Sequence, residues 1–431
     1  MIKFVFQSVF RRLKRYGFLV GMIAFGIMAV TLIQSMTEGM KQNVIEGAAR
    51  YVGGRYVVLE RTNGVGAQTY IDDSDKILAA IGRAGIRPTT IVKREVVLNE
   101  NAPILVYNGE SFKMRKVYGL DPRNEAGVLS QLDFLSGSFT ELAGTNGILI
   151  SKQAADRLGL RVGDELVLQL FNRDGYLDSA SLVVQGIFRD ASLFGYYNAY
   201  MDFDALRKLI GDPEGVCRAM GFYFPGNENP AEQGEMLRKA LAASGFELMP
   251  VRNRTDLENA AGMGWSGARH TILPVEDYID GKVMDLINAI QMLAYVSLVL
   301  ILVIILVGMR NTTQIMTRRR FKEIGTLRAL GLTRGKAQGL ILAEALIIAS
   351  LGFMLGVAGA IAILEILGVF NLGWMEGFDI FMKHGHLTWK LSATFLAVNY
   401  GALALMTIIG AMPAARRAAS ISPVAAIATN D

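Results

Sequence analysis

The chain is poor in the residues that most often carry chemistry. A single cysteine, Cys217, stands among 431 residues, so no intrachain disulfide can form and thiol pairing says nothing about compartment. Histidine is almost as scarce, with His270, His384 and His386 the full set. His384 and His386 in KHGH could share one strand face, but a zinc site takes three or four ligands, and no metal site is expected. Asp72, Asp73 and Asp75 resemble the start of a calcium loop without its central glycine or closing glutamate, and helix capping explains them better. No Ser/His/Asp or Cys/His constellation occurs, so no catalytic residue is proposed.

A phosphate-cradling loop is also missing. GLTRGKA, from Gly331 to Ala337, has three residues between its glycines where the pattern needs four. Ala337 also stands where a Ser or Thr would hold magnesium. Any nucleotide hydrolysis must belong to another chain. Gly262, Gly264 and Gly267 make a lone G-x-G-x-x-G without the acidic residue of a dinucleotide fold, and a loop is expected there. Met263 and Trp265 within it are candidates for contact with lipid or an apolar ligand.

What the chain has in quantity is apolar surface: 52% of its residues are hydrophobic and the mean hydropathy is +0.32. Four windows, at 16–36, 286–309, 338–368 and 391–412, approach or exceed the roughly 20 residues that a hydrocarbon core demands. The first is too long for a signal-peptide core and lacks a cleavage pattern, and it reads as a retained anchor. Lys3, Arg11, Arg12, Lys14 and Arg15 precede it. Residues 310–337 hold eight Lys/Arg against one Glu, and Arg416 and Arg417 follow the last window. The positive-inside bias therefore puts segments 1–15, 310–337 and 413–431 in the cytoplasm, with 37–285 and the short loop 369–390 outside.

Segment 37–285 alternates strand and helix signals and should fold as an α+β domain. YIDDSDKILAAIGRAG predicts a helix capped by Asp73 or Ser74, carrying Ile77, Leu78 and Ile81, and stopped at Gly82 or Gly85. EVVLNE and APILVYNG predict strands split by Asn-Glu-Asn. NGILISKQAADRLGLRVGDELVLQL reads as strand, Ser151-capped helix ending at Gly159, then strand. SLVVQGIFRD is a further strand, and YMDFDALRKLIG and NPAEQGEMLRKALAASG are two further helices.

Between the second and third windows lies RRRFKEIGTLRALGLTRGK. From Thr317 to Leu330 it predicts one helix with an apolar stripe of Phe321, Ile324, Leu327 and Leu330, ended by Gly331. Arg318, Arg319, Lys322, Glu323 and Arg328 surround the stripe, while Gly325 and Ala329 permit close approach. Such a helix suits a partner's groove. The windows hold few charges. Glu344 and Glu365 sit near opposite ends of the third, where they are expected to reach the interface. Gly17 with Gly21, and Gly352 with Gly356, offer small faces for close helix packing.

Asn311-Thr-Thr, the run RRRFKEIGTLRALG, the following Glu344 and the ending MPAARRAASISPVAAI resemble the FtsX-type permease domain shared by MacB and the lipoprotein-releasing (Lol) transporters. VYGLDP, GILISKQAADRLGLRVGDELVL and VQGIF are similar to that family's periplasmic core domain. The exit of the first window, IAFGIMAVTLIQSMTEGMKQNV, and Gly119 to Pro122 are most like the lipoprotein-releasing permeases. MacB itself carries an ATPase ahead of its first span.

The resemblance implies an inner-membrane permease of four transmembrane helices with both termini cytoplasmic and a large periplasmic α+β domain. It implies two such copies, identical or different, and separate ABC ATPase subunits that carry ATP and magnesium. Each ATPase would receive the Thr317–Leu330 coupling helix and move the periplasmic domain by mechanotransmission. The cargo implied is lipoprotein or another lipidated or amphipathic molecule, taken from membrane lipid and passed to a periplasmic carrier or adaptor. MacB-like efflux and FtsX-like control of a cell-wall hydrolase are the alternatives. No nucleic acid partner and no cofactor in this chain are expected.

Overall fold

The computed structural model describes residues 13–60, 71–97, 103–130, 132–189, 197–224, 230–262, 270–279, 281–372, 382–383 and 385–420. The chain divides into a helical unit (Met1–Lys41, Leu286–Glu376 and Phe381–Asp431) and an α/β unit (Gln42–Asp285 with Gly377–Ile380).

Helix α1 (Leu13–Val52) runs well beyond the apolar window that predicts it. Met40, Lys41, Glu46, Ala48 and Ala49 are good helix formers and no proline interrupts them. Gly53, at φ +93°, ends it, and the amides of Gly53 and Gly54 both donate to the Ala49 carbonyl at 2.8 and 2.9 Å.

β1 (Tyr56–Glu60), α2 (Ser74–Arg83) and β2 (Thr90–Val97) open the α/β unit. β3 (Ile104–Tyr107), β4 (Glu110–Lys113), β5 (Lys116–Leu120), α3 (Ala126–Leu129), β6 (Asp133–Gly137), β7 (Gly147–Ser151) and α4 (Lys152–Leu158) follow. Next come β8 (Glu165–Phe171), β9 (Leu177–Arg189), β10 (Asn198–Asp202) and α5 (Phe203–Ile210). β11 (Ala219–Tyr223), α6 (Pro230–Ala243), α7 (Arg254–Gly262), β12 (His270–Pro274) and α8 (Val275–Tyr278) close the unit.

The strands line up as β12-β1-β11-β2-β5-β10-β7-β9-β8-β3-β4, with β6 on β9. Two lobes share β2: its residues 90–94 pair with β11, whereas 95–97 pair with β5. The first lobe packs α2 and α6 around Tyr56, Ile77, Ile81, Phe222 and Leu237. The second packs α4 and α5 around Leu105, Ile148, Leu168, Val184 and Leu206. Among the described strands, only the β5/β10 and β7/β9 pairs are parallel.

Local details depart from the expectations. Asp73 and Ser74 stand at the start of α2, but neither side chain caps it. The Asp73 carboxylate lies 3.3 Å from His270 Nε2, and the Ser74 hydroxyl donates to the Gly215 carbonyl at 2.7 Å. The helix passes through Gly82, and Gly85 at φ +71° follows its end. Ser151 stands at the N-cap of α4 without a side-chain cap bond, while Gly159 at φ +67° closes that helix. YMD is the end of β10 rather than helix. Asp202 then caps α5, its Oδ1 accepting from the amides of Asp204 and Ala205 at 3.0 and 3.1 Å. The predicted Asn99-Glu100-Asn101 turn lies outside the described residues.

The helical unit adds α9 (Gly281–Arg319), α10 (Phe321–Ala329), α11 (Arg334–Val369), a small hairpin of β13 (Met382–Lys383) and β14 (His386–Leu387), and α12 (Ala393–Ser420). Helices α1, α9, α11 and α12 are long and apolar enough to cross a membrane. Their shared core includes Ile23, Ile27, Ile305, Ile348 and Leu403. Gly352 and Gly356 of α11 press on α1. A Cβ at Gly352 would meet Ile23 Cγ2 at 2.7 Å, and one at Gly356 would meet the Ala24 carbonyl oxygen at 2.6 Å. Among the described residues, Gly17 and Gly21 have no such neighbour. A Cβ at either meets nothing within 4 Å, and both lie with Phe18 and Phe25 on an exposed face of α1.

Candidate functional site: the basic elbow

The predicted helix from Thr317 is broken at Arg320. Thr317, Arg318 and Arg319 form the last turn of α9, and α10 starts afresh at Phe321. The break follows from where the Arg320 side chain goes. Its Nη1 donates to Glu344 Oε2 at 2.6 Å and its Nε to Glu323 Oε2 at 2.9 Å. The side chains of Arg320 and Glu344 are 12% and 10% exposed. Tyr16 of α1 completes the group, its hydroxyl donating to Glu344 Oε1 at 3.4 Å. Glu344 therefore does not reach toward an interface as its position near a window end suggests. It is held inside by a guanidinium that cancels its charge, whereas Glu365 is exposed. A cavity of about 30 Å³, with room for water, adjoins the pair and is lined by Tyr16, Thr313, Thr317, Arg320 and Glu344.

The apolar stripe of α10 is divided between two surfaces. Ile324 is buried against Ile341 of α11 and Ala415 and Ala418 of α12, with Phe321 half-buried beside it and Gly325 buried next in the chain. Ile324 is thus an anchor within the chain and not a surface for a partner, because the ends of α11 and α12 already fill its groove. Leu327 and Arg328 are half-buried. The exposed residues are Arg318, Arg319, Lys322, Glu323, Thr326, Ala329 and Leu330. Leu330, at 85% exposure, is the apolar knob among them. Gly331 at φ +99° turns the chain, its amide donating to the Arg328 carbonyl at 3.0 Å, and the Leu332 amide donates to the Leu327 carbonyl at 3.1 Å. GLTRGK is thus a helix-to-helix turn and the first residues of α11, without the strand that precedes a phosphate loop.

The part of α1 beyond Lys41 belongs to the α/β unit and packs there. Arg94 Nη2 donates to the Arg50 carbonyl at 2.9 Å, and the Tyr223 hydroxyl donates to the Ala49 carbonyl at 2.9 Å. Arg94 also forms a fully buried ion pair with Glu125, whose pKa is raised by burial against the opposing pull of Arg94. No motif or spacing marks Arg320–Glu344–Tyr16 or Arg94–Glu125 as groups, since each joins residues far apart in the chain.

His270 meets Asp73, and His386 Nδ1 lies 3.0 Å from the Gly368 carbonyl. His384, Met263, Gly264, Trp265 and Gly267 lie outside the described residues, among which no cluster of three metal-ligating side chains occurs. Asp75 faces Lys93 at 3.4 Å. A groove of about 640 Å³ lies in the α/β unit between Asp121, Asn146, Ser181, Asp202 and Lys208.

No curated protein matches the chain. Among solved structures, the periplasmic region of MacB from Actinobacillus actinomycetemcomitans is 13% identical, with a TM-score of 0.31 over 46% of this chain and 87% of that one. A domain assigned to a permease protein from Porphyromonas gingivalis is 12% identical, with a TM-score of 0.28 over 44% of this chain and 84% of that one. Two family models match in sequence: the MacB-like periplasmic core domain over residues 18–223 and the FtsX-like permease C-terminal domain over residues 295–423. The second match contains the whole elbow with α11 and α12, the first contains most of α1 and both halves of the β2 handover, and together they show that the chain belongs to the FtsX/MacB-type ABC transporter permeases.

Proposed function

We propose that this permease takes movement from a separate ATPase at the basic elbow and delivers it, through α1, to the α/β unit, where it serves release of a lipidated or amphipathic cargo. The observation that supports the reading is the Arg320–Glu344–Tyr16 group. It ties α10 to both α11 and α1, so a push on the elbow is felt by the helix that carries Arg50 at its far end. The elbow faces the cytoplasm, the α/β unit the periplasm, and a second copy of the chain or a related permease completes the transporter. The ATPase contacts Arg318, Arg319, Lys322, Thr326, Ala329 and Leu330, the exposed side of the elbow. Lipoprotein is the favoured cargo because the segment leaving the first span and Gly119 to Pro122 resemble the lipoprotein-releasing permeases.

The test is reconstitution of the permease with its ATPase in liposomes carrying a fluorescent lipoprotein, with a soluble periplasmic carrier outside. ATP-dependent transfer to the carrier that is lost in Leu330→Asp is the expected result. Normal ATPase coupling in Leu330→Asp combined with Lys322→Glu would overturn the elbow assignment. Crosslinking to a duct adaptor or to a cell-wall hydrolase, with no lipoprotein transfer, would replace the cargo reading by efflux or by signalling.

A further inference from the structure

The seam where β2 passes from one lobe to the other is built from buried charge. Arg94 is the last residue of β2 paired to β11, and Glu95 the first paired to β5. Glu95 faces Gly119 of β5, where a Cβ would lie 2.9 Å from that of Glu95, so only glycine leaves it room. Arg218 Nε donates to Glu95 Oε1 at 3.0 Å and also lies 3.7 Å from Asp212 Oδ2, too far for a hydrogen bond. Arg173 reaches Asp212 Oδ1 at 3.4 Å from a side chain that is 37% exposed, while both carboxyl side chains are 0% exposed.

Arg218 thus serves two wholly buried carboxyls, with Arg173 a second cation for Asp212 alone, and among the described residues one oxygen of each, Glu95 Oε2 and Asp212 Oδ2, has no hydrogen-bond partner. An ionised carboxylate has only acceptors, and an unpaired buried acceptor is destabilising, the more so when charged. A proton on one carboxyl makes it a donor and removes one negative charge from a place where two would repel. Among the described residues, the other charged groups nearby are engaged elsewhere. Arg94 is engaged by Glu125, and Arg207 by Asp204 and the Asp212 carbonyl. Lys93 reaches Ser74 and Asp75, and the Cys217 thiol is buried and pushed up to about 12 by that burial.

We propose that Glu95 and Asp212 share one proton, so that the joint between the lobes is a carboxyl–carboxylate pair on Arg218 and not two carboxylates. The shift of the pair agrees in direction. Burial raises Glu95 from 4.5 to about 8, with Arg218 opposing and Asp212 adding, and burial likewise raises Asp212. A carboxyl raised in the folded state binds its proton more tightly there. Its stability contribution is complete below the ordinary value of 4.5 and is lost as pH rises through about 8. Above that pH both carboxyls are anionic on Arg218, with only the partly exposed Arg173 to help hold Asp212, and the seam loosens. This pH-dependent joint is independent of which cargo the transporter handles.

Infrared difference spectroscopy on the full-length protein in nanodiscs, titrated from about pH 6 to about pH 9.5, tests the proposal. A carboxyl C=O band lost with a midpoint near pH 8, and missing in Glu95→Gln, is the expected result. Should Glu95→Gln not fold, Asp212→Asn replaces it, and the midpoint should then fall, since the neighbouring negative charge is gone. The absence of any carboxyl band titrating above about pH 6, or a band unchanged in both variants, would overturn the shared proton.

Discussion

Replacing Arg320 by methionine removes the cation and leaves the Glu344 carboxylate inside the helical unit beside the Tyr16 hydroxyl, 3.4 Å away. Breaking a buried ion pair from one side typically costs about 3–5 kcal/mol. The adjoining cavity favours the low end, because a solvent molecule there would partly solvate the remaining charge. About 3 kcal/mol corresponds to roughly two powers of ten in the open fraction of α10. Hydrogen exchange at the Ile324 amide, which donates to the Arg320 carbonyl at 2.9 Å in the closed helix, reads that fraction directly. Glu344→Gln should accelerate exchange by less, since a neutral amide still accepts from Arg320. The double variant Arg320→Met with Glu344→Gln should recover at least about 1 kcal/mol relative to Arg320→Met, because the buried negative charge is then gone. If both single variants exchange within about 0.5 kcal/mol of the parent and their effects simply add, the pair does not hold the elbow.

Gly356→Ala places a methyl against the Ala24 carbonyl and should cost about 1–3 kcal/mol, whereas Gly21→Ala, with nothing near it, should be neutral or mildly stabilising; thermal aggregation onset of the two variants in the same detergent separates them. Arg94→Met strands the Glu125 carboxylate and removes a donor from the Arg50 carbonyl, and should lower protection of β2 and of the end of α1 by about 3 kcal/mol or more in hydrogen exchange. Cys217, fully buried with a thiol pushed up to about 12, should resist alkylation at neutral pH in the native protein and react at once in denaturant, which makes the lone cysteine a reporter of unfolding in the α/β unit.

The four apolar helices were legible because each requires a long run of one kind of residue, and a run is a local property. So was the strand-helix-strand passage from Gly147 to Phe171, where Gly159 supplies a left-handed stop that few other residues can adopt. The elbow was legible as a basic, periodic segment but not as two helices meeting at Arg320. That break depends on Glu344, 24 residues on, and nothing within the segment announces it. For the same reason the stripe looked available to a partner. Periodicity tells which side of a helix is apolar, and it does not tell that Ala415 and Ala418 already cover Ile324. The continuation of α1 to Val52 was hidden because hydropathy falls after Met36 while helix propensity does not. β2 reads as an ordinary strand, and its division between two partners is a matter of topology alone.

That division limits how the molecule can vary. Side chains on a strand alternate faces residue by residue, so inserting one residue between Arg94 and Glu95 would turn every later position of β2 inside out for one lobe while leaving the other intact. The turn at Asn108 and Gly109, bound to a single hairpin, carries no such double obligation and should accept insertions freely. Length changes among relatives of this chain should therefore gather at hairpin tips and avoid the strand that both halves read in the same register.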